Sequence, residues 1–158
     1  MNYFERAVMI GVICCLALVG TSLLAQSQSD EIELTRTIIQ AERQIILVAN
    51  MGLTDEEGQR FWPLYRQYRS DLAKNGDSTV ALITTFADNY ENLSEGTAEW
   101  MVNEFLAIEK VEAEVKSRWI PRFREVLSEK KVLLFLQLEN KMDAVINYDL
   151  AESIPVVR

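Results

Sequence analysis

Six of the chain's ten arginines fall in two short stretches, each built around a proline and several aromatic residues. One is Arg60-Phe61-Trp62-Pro63-Leu64-Tyr65-Arg66, with Arg69 just beyond it; the other is Arg118-Trp119-Ile120-Pro121-Arg122-Phe123-Arg124. Guanidinium groups interleaved with aromatic rings suit a surface that holds flexible, partly apolar, acidic polypeptide, because rings supply contact area and arginine supplies charge and cation–π attraction. On that reading Arg60, Trp62, Tyr65, Arg66, Arg69, Arg118, Trp119, Arg122, Phe123 and Arg124 are candidate polypeptide-binding residues. The same spacing also fits a core, with Trp62, Tyr65, Trp119 and Phe123 inside and the arginines lying along the surface, paired with neighbouring glutamates. Both readings stand on the sequence alone.

Other chemistry is excluded by what the chain lacks. There is no histidine, and both cysteines, Cys14 and Cys15, sit in an apolar N-terminal run. Histidine-based acid–base and triad mechanisms are ruled out, as are zinc sites of the Cys/His type. Glu95 and Glu99 lie one helical turn apart, as does Glu109 with the residues flanking Glu112. Carboxylates so spaced on a charged helix read as a solvated face. No glycine-rich phosphate loop or serine elbow is present. We expect no enzyme activity, no catalytic, cofactor-binding or metal-binding residues, and no cofactor. A net charge of −8 argues against nucleic acid, whose affinity comes largely from basic contacts to phosphate. Asn92-Leu93-Ser94 matches a glycosylation sequon, relevant only in a eukaryotic secretory pathway.

The elements that must position these residues are helices. Thr54 and Glu57 form a capping-box pattern, and Gly52 suits the end of a preceding helix, so Met51-Gly52-Leu53 reads as a tight joint. Leu34, Ile38, Ala41, Ile45 and Val48 predict an amphipathic helix over 31–50. Phe61, Tyr65, Tyr68 and Leu72 predict a second from Thr54 to about Lys74. Asn75-Gly76-Asp77 is expected to end it, with Asp77 or Ser78 capping a third helix that runs to about Asn92 and carries Val80, Ile83, Phe86 and Tyr90. Met101, Phe105, Ile108, Val111, Val115, Trp119, Phe123 and Val126 predict a long helix over 97–127, and Phe135, Leu138, Met142 and Val145 a last one from Ser128. Nothing reads as strand. Pro63 and Pro121 fall inside helices and are expected to bend them. The expectation is an all-α, bent long-helix hairpin of about four to five helices.

The uncharged run Ala7 to Leu24, preceded by Arg6 and followed by Gln26-Ser27-Gln28-Ser29-Asp30, reads as a secretory signal peptide over 1–25 that leaves one helical domain over 26–158. The run is also long enough to stay in a bilayer as an anchor over 7–25. Either outcome exports the chain, and the mature domain has no cysteine for a disulfide.

An exported helical chain in which Leu53-Thr54-Asp55-Glu56-Glu57 opens a helix and an aromatic–proline turn follows resembles the Spy/CpxP (LTxxQ-motif) family of bacterial periplasmic proteins. Glu57 stands where that motif has Gln. Leu93-Ser94-Glu95 and Leu127-Ser128-Glu129-Lys130-Lys131 are looser echoes, and the run from Leu138 to Ala151 looks like a tail seen in proteobacterial members. The resemblance implies a helical hairpin that dimerises into a cradle and acts in the periplasm as an ATP-independent chaperone or stress-signalling modulator. The partners it implies are unfolded polypeptides or a membrane sensor protein. A dedicated single-partner regulator without general chaperone activity is the alternative. The zinc-sensing role of some relatives needs His and Cys and does not carry over.

Overall fold

The computed structural model describes residues 33–157. The expected export segment over 1–25 lies outside them. The chain divides into two compact units, Met1–Ile46 and Leu47–Arg158. Of the first unit, residues 33–46 are described and are helical. The helix continues to residue 51, so α1 spans 33–51. Three further helices follow in the second unit: α2 (Asp55–Asn89), α3 (Glu95–Arg124) and α4 (Glu129–Ser153), with a single 3₁₀ turn, Tyr90–Asn92, between α2 and α3. The described residues contain no strand, and the fold is all-α, a helical hairpin of four helices. No helix among them is long and apolar enough to cross a membrane.

Each of α2, α3 and α4 starts by one device. A leucine precedes a hydroxyl residue whose oxygen accepts a backbone N–H three residues on: Thr54 from Glu57, Ser94 from Thr97, Ser128 from Lys131. This satisfies one of the otherwise orphaned amides of a first helical turn. At Thr54 the capping box is complete, because the Glu57 carboxylate also accepts the Thr54 N–H at 2.8 Å. Gly52 takes a φ of +52° and turns the chain from α1 into α2.

The expected break at Asn75-Gly76-Asp77 does not occur. α2 runs unbroken through it for 35 residues, which gives four helices, the lower of the four to five expected. Gly76 in a helix interior costs about 1 kcal/mol relative to alanine. Packing offsets that cost: the Asn75 side-chain amide donates to the Ile108 carbonyl of α3 at 2.9 Å, and Thr79 Oγ1 donates to the Asn75 carbonyl at 3.4 Å. A turn signal read from local sequence is overruled by a neighbouring helix. Pro63 and Pro121 do lie inside α2 and α3, as expected.

α2 and α3 run antiparallel, Arg60 meeting Glu125, Asp71 meeting Trp119, and Asn75 meeting Ile108. α4 returns alongside α2, Lys131 beside Glu57 and Glu139 beside Tyr65 and Arg69. Between the three helices lies a core of rings: Phe61, Tyr65 and Tyr68 of α2, Trp119 and Phe123 of α3, Phe135 of α4. Phe123 and Phe135 have centroids 4.6 Å apart, and Phe61 meets Phe135 edge-on at 5.6 Å. Burying each such ring stabilises the fold by about 1.5–3 kcal/mol. Leu47, Met51, Leu127, Val132 and Met142 close the cluster. No residue of α3 before Ile108 is buried. Phe105, which continues the core rhythm of α3 in sequence, is exposed instead.

Candidate functional site

The structure separates the ten arginine and aromatic candidates into two populations. Tyr65, Trp119 and Phe123 are 5%, 4% and 0% exposed, so they are core side chains and not a contact surface. The reason is geometric: each falls on the strip of its helix that faces the other two helices, where a ring fills space that nothing smaller would. Their polar atoms are tied inward. The Tyr65 hydroxyl donates to Glu139 Oε1 at 3.2 Å, and Trp119 Nε1 donates to Asp71 Oδ2 at 2.9 Å.

Most of the arginines serve as struts. Arg69 Nη1 donates to Glu139 Oε2 at 3.3 Å, and the Glu139 side chain is all but sealed from solvent. Arg60 Nη2 donates to the Glu125 carbonyl at the end of α3, 2.9 Å away. Arg118 pairs with Asp71 at 3.4 Å, Arg124 with Glu129 at 3.0 Å, and the Arg122 guanidinium sits 4.5 Å above the Trp119 ring. The Asp71 carboxyl is held below its ordinary value, first by the Lys74 ammonium and then by the Trp119 N–H.

Trp62 and Arg66 behave differently. Trp62 is half-buried, packed edge-on against Phe61 at 5.0 Å, and its outer side forms a wall of an open groove of about 590 Å³. Val48, Leu53 and Pro63 supply further apolar walls, Thr54, Asp55 and Gln59 line one polar stretch, and Arg66 stands exposed at the other. Gly58, one turn before Trp62, also lines the groove, and a Cβ there would rest in ordinary contact with the indole, 3.7 Å from Trp62 Nε1. A groove with one large ring, aliphatic walls and a single guanidinium can hold an extended or helical peptide segment by apolar contact, with arginine favouring an acidic neighbour.

Set against known proteins, the chain matches no family model, no curated protein and no solved structure.

Two groups went unmarked in the sequence. Val48 and Leu53 belong to the groove, whereas the sequence marks Val48 only as part of a helical face and Leu53 only as part of a joint and a helix-opening motif. Glu139 anchors Tyr65 and Arg69 from about seventy residues away, a pairing that no local pattern announces. A smaller cavity of about 150 Å³, with Arg69, Asn75, Glu112 and Asp143 in its walls, lies farther along α2. Among the described residues no three acidic side chains converge as ligands for a metal ion.

Proposed function

We propose that this is an exported helical protein that binds segments of unfolded or partner polypeptide without a cofactor, as a periplasmic chaperone or envelope-stress modulator of the kind its Leu53–Glu57 motif resembles. One observation carries this reading: Trp62 and Arg66 line an open groove beside that motif, while every other aromatic of the two arginine-rich stretches is buried. Apolar contact with Trp62, Leu53 and Pro63 supplies most of the affinity, and Arg66 sets a preference for segments that carry carboxylates. Export rests on the N-terminal apolar run, with membrane anchoring by 7–25 as the alternative to cleavage. Self-association into a dimer is part of the family likeness.

The localised groove, bounded by one short stretch of α2 and the end of α1, also suits a single dedicated partner. Aggregation of a chemically unfolded protein, followed by light scattering with and without this protein, separates the two readings. Suppression that weakens with salt, and that a Trp62→Ala/Arg66→Ser variant loses while an Arg118→Ser/Arg122→Ser variant keeps, supports chaperone action at the groove. Suppression that the folded Trp62→Ala/Arg66→Ser variant retains in full removes the groove from the account. An absence of suppression by the wild-type protein favours the single partner, to be sought by crosslinking in cells.

A further inference from the structure

The amino-terminal half of α3 presents an apolar stripe to solvent. Val102, Phe105 and Leu106 are 60%, 54% and 59% exposed. They share one face with Glu95, Glu99 and Glu109, since 95, 99, 102, 106 and 109 advance by four, three, four and three. All three glutamates are exposed, and no ion pair to any of them occurs among the described residues. The stripe lies where α3 carries no buried residue, ahead of Ile108, so neither α2 nor α4 needs it for the core. Adjacent large apolar side chains on an exposed helix face make a candidate interaction surface.

The charge around the stripe says what fits it. Between Lys74 and Lys110 the chain carries seven carboxylates and no lysine or arginine. This end of the hairpin therefore carries a field opposite in sign to that of the arginine-rich stretches near the α3–α4 joint. An apolar ridge with exposed glutamates in line at both of its ends complements an amphipathic helix that carries lysine or arginine at the borders of its apolar face, anchored at i, i+3, i+4 and i+7. A second copy pairing through the same stripe would set glutamates of one chain among those of the other, and the nearest cation, Lys110, is already paired with Glu114 of its own helix at 3.8 Å. An anionic bilayer would be repelled likewise.

We propose that the Val102–Phe105–Leu106 face of α3 is a docking surface for a cationic amphipathic polypeptide segment. This surface is independent of the groove at Trp62 and opposite to it in charge preference.

The test is fluorescence anisotropy of a labelled amphipathic peptide of leucine and lysine, titrated with the purified protein, alongside a peptide with glutamate at every lysine position. The lysine peptide is expected to bind at least about tenfold more tightly than the glutamate peptide, a gap of about 1.4 kcal/mol, and to weaken as salt is raised. Glu95→Gln/Glu99→Gln/Glu109→Gln and, separately, Phe105→Ser/Leu106→Ser are each expected to weaken it by about tenfold or more at unchanged helical content by circular dichroism. Trp62→Ala/Arg66→Ser is expected to leave it unaltered. All substituted positions but Trp62 are exposed, and a single Phe105→Ser variant serves if the double one loses helicity. Equal binding of both peptides, or full binding by the folded stripe variants, overturns the proposal. So does sedimentation showing a dimer that Phe105→Ser/Leu106→Ser splits, because the occupant is then a second copy.

Discussion

The Lys131 ammonium donates to the Glu57 carboxylate and, at 2.8 Å, to the Gly52 carbonyl. Each of the two charged residues is the third residue of its helix, behind the caps Thr54 and Ser128. A lysine so near a helix start works against the helix dipole, typically by a few tenths of a kcal/mol. Here that lysine closes a joint between motifs that echo one another in sequence, Leu53-Thr54-Asp55-Glu56-Glu57 and Leu127-Ser128-Glu129-Lys130-Lys131. Glu57 thereby holds its own helix cap and the start of α4 with one carboxylate, and Thr54, whose N–H it accepts, lines the Trp62 groove.

Gly52 at the joint before α2 and Gly76 within α2 are expected to respond to alanine in opposite senses. Gly52 takes φ +52°, where a Cβ costs about 1–2 kcal/mol, so Gly52→Ala is expected to destabilise by that amount and to loosen the carbonyl that Lys131 holds. Gly76 lies in the helix interior, and a methyl group added there would meet open space, with no atom within 4 Å. Gly76→Ala is expected to stabilise by about 0.5–1 kcal/mol. Urea unfolding of both variants checks this. A Gly76→Ala variant less stable than wild type would mean that α2 does break at Asn75-Gly76-Asp77.

Two buried polar groups, one on α2 and one on α4, make a second pair of opposed expectations. Tyr68 is 1% exposed and its hydroxyl has no hydrogen-bond partner among the described residues; burial drives its ionisation far above the usual range. Tyr68→Phe removes an unsatisfied group and is expected to raise stability by about 1 kcal/mol. Glu139→Ala does the reverse, stripping Tyr65 and Arg69 of their shared acceptor, and is expected to cost about 3 kcal/mol. Denaturant midpoints of the two variants give the result. A loss beyond about 1 kcal/mol in Tyr68→Phe would show that the hydroxyl is bonded.

The helix starts were legible in the sequence because capping is local chemistry: Thr54 with Glu57 needs only three residues to declare itself. The rings of Phe61, Tyr65, Tyr68, Trp119 and Phe123 declared a helical face, but the same spacing serves a core or a contact surface, and only the position of α4 decides. Phe105 shows the converse, keeping the core rhythm of α3 on a stretch where no buried residue lies. Gly76 failed as a stop signal because its cost is smaller than the packing that spans it. Arg69 with Glu139 is a non-local pairing set by how the chain folds back, which no window along the sequence contains. Trp62 and Arg66 stand apart from the other contact candidates only once the fold has placed Tyr65 in the core.

Acid and alkali are expected to act through different residues. Hydrogen bonds from Lys131 and from the Thr54 backbone hold the Glu57 carboxyl below its ordinary value, and Lys74 and the Trp119 N–H do the same for Asp71. A depressed carboxylate contributes stability that is full above its unfolded value, about 4, and is lost as pH falls through the lower folded value. For Lys116, burial lowers the ammonium value, but the Glu112 and Asp143 carboxylates outweigh it and the net shift is upward. Its contribution is full below the unfolded value, about 10.4, and is lost as pH rises through the folded one. Thermal midpoints across this range are therefore expected to fall at both ends. Glu57→Gln and Asp71→Asn are expected to lie below wild type at neutral pH, with the gap closing as pH drops below about 4. Lys116→Met is expected to show its gap closing only above about pH 10. A gap for Glu57→Gln that stays constant down to the acid limit would mean that the Lys131 contact holds the joint through shape and not through charge.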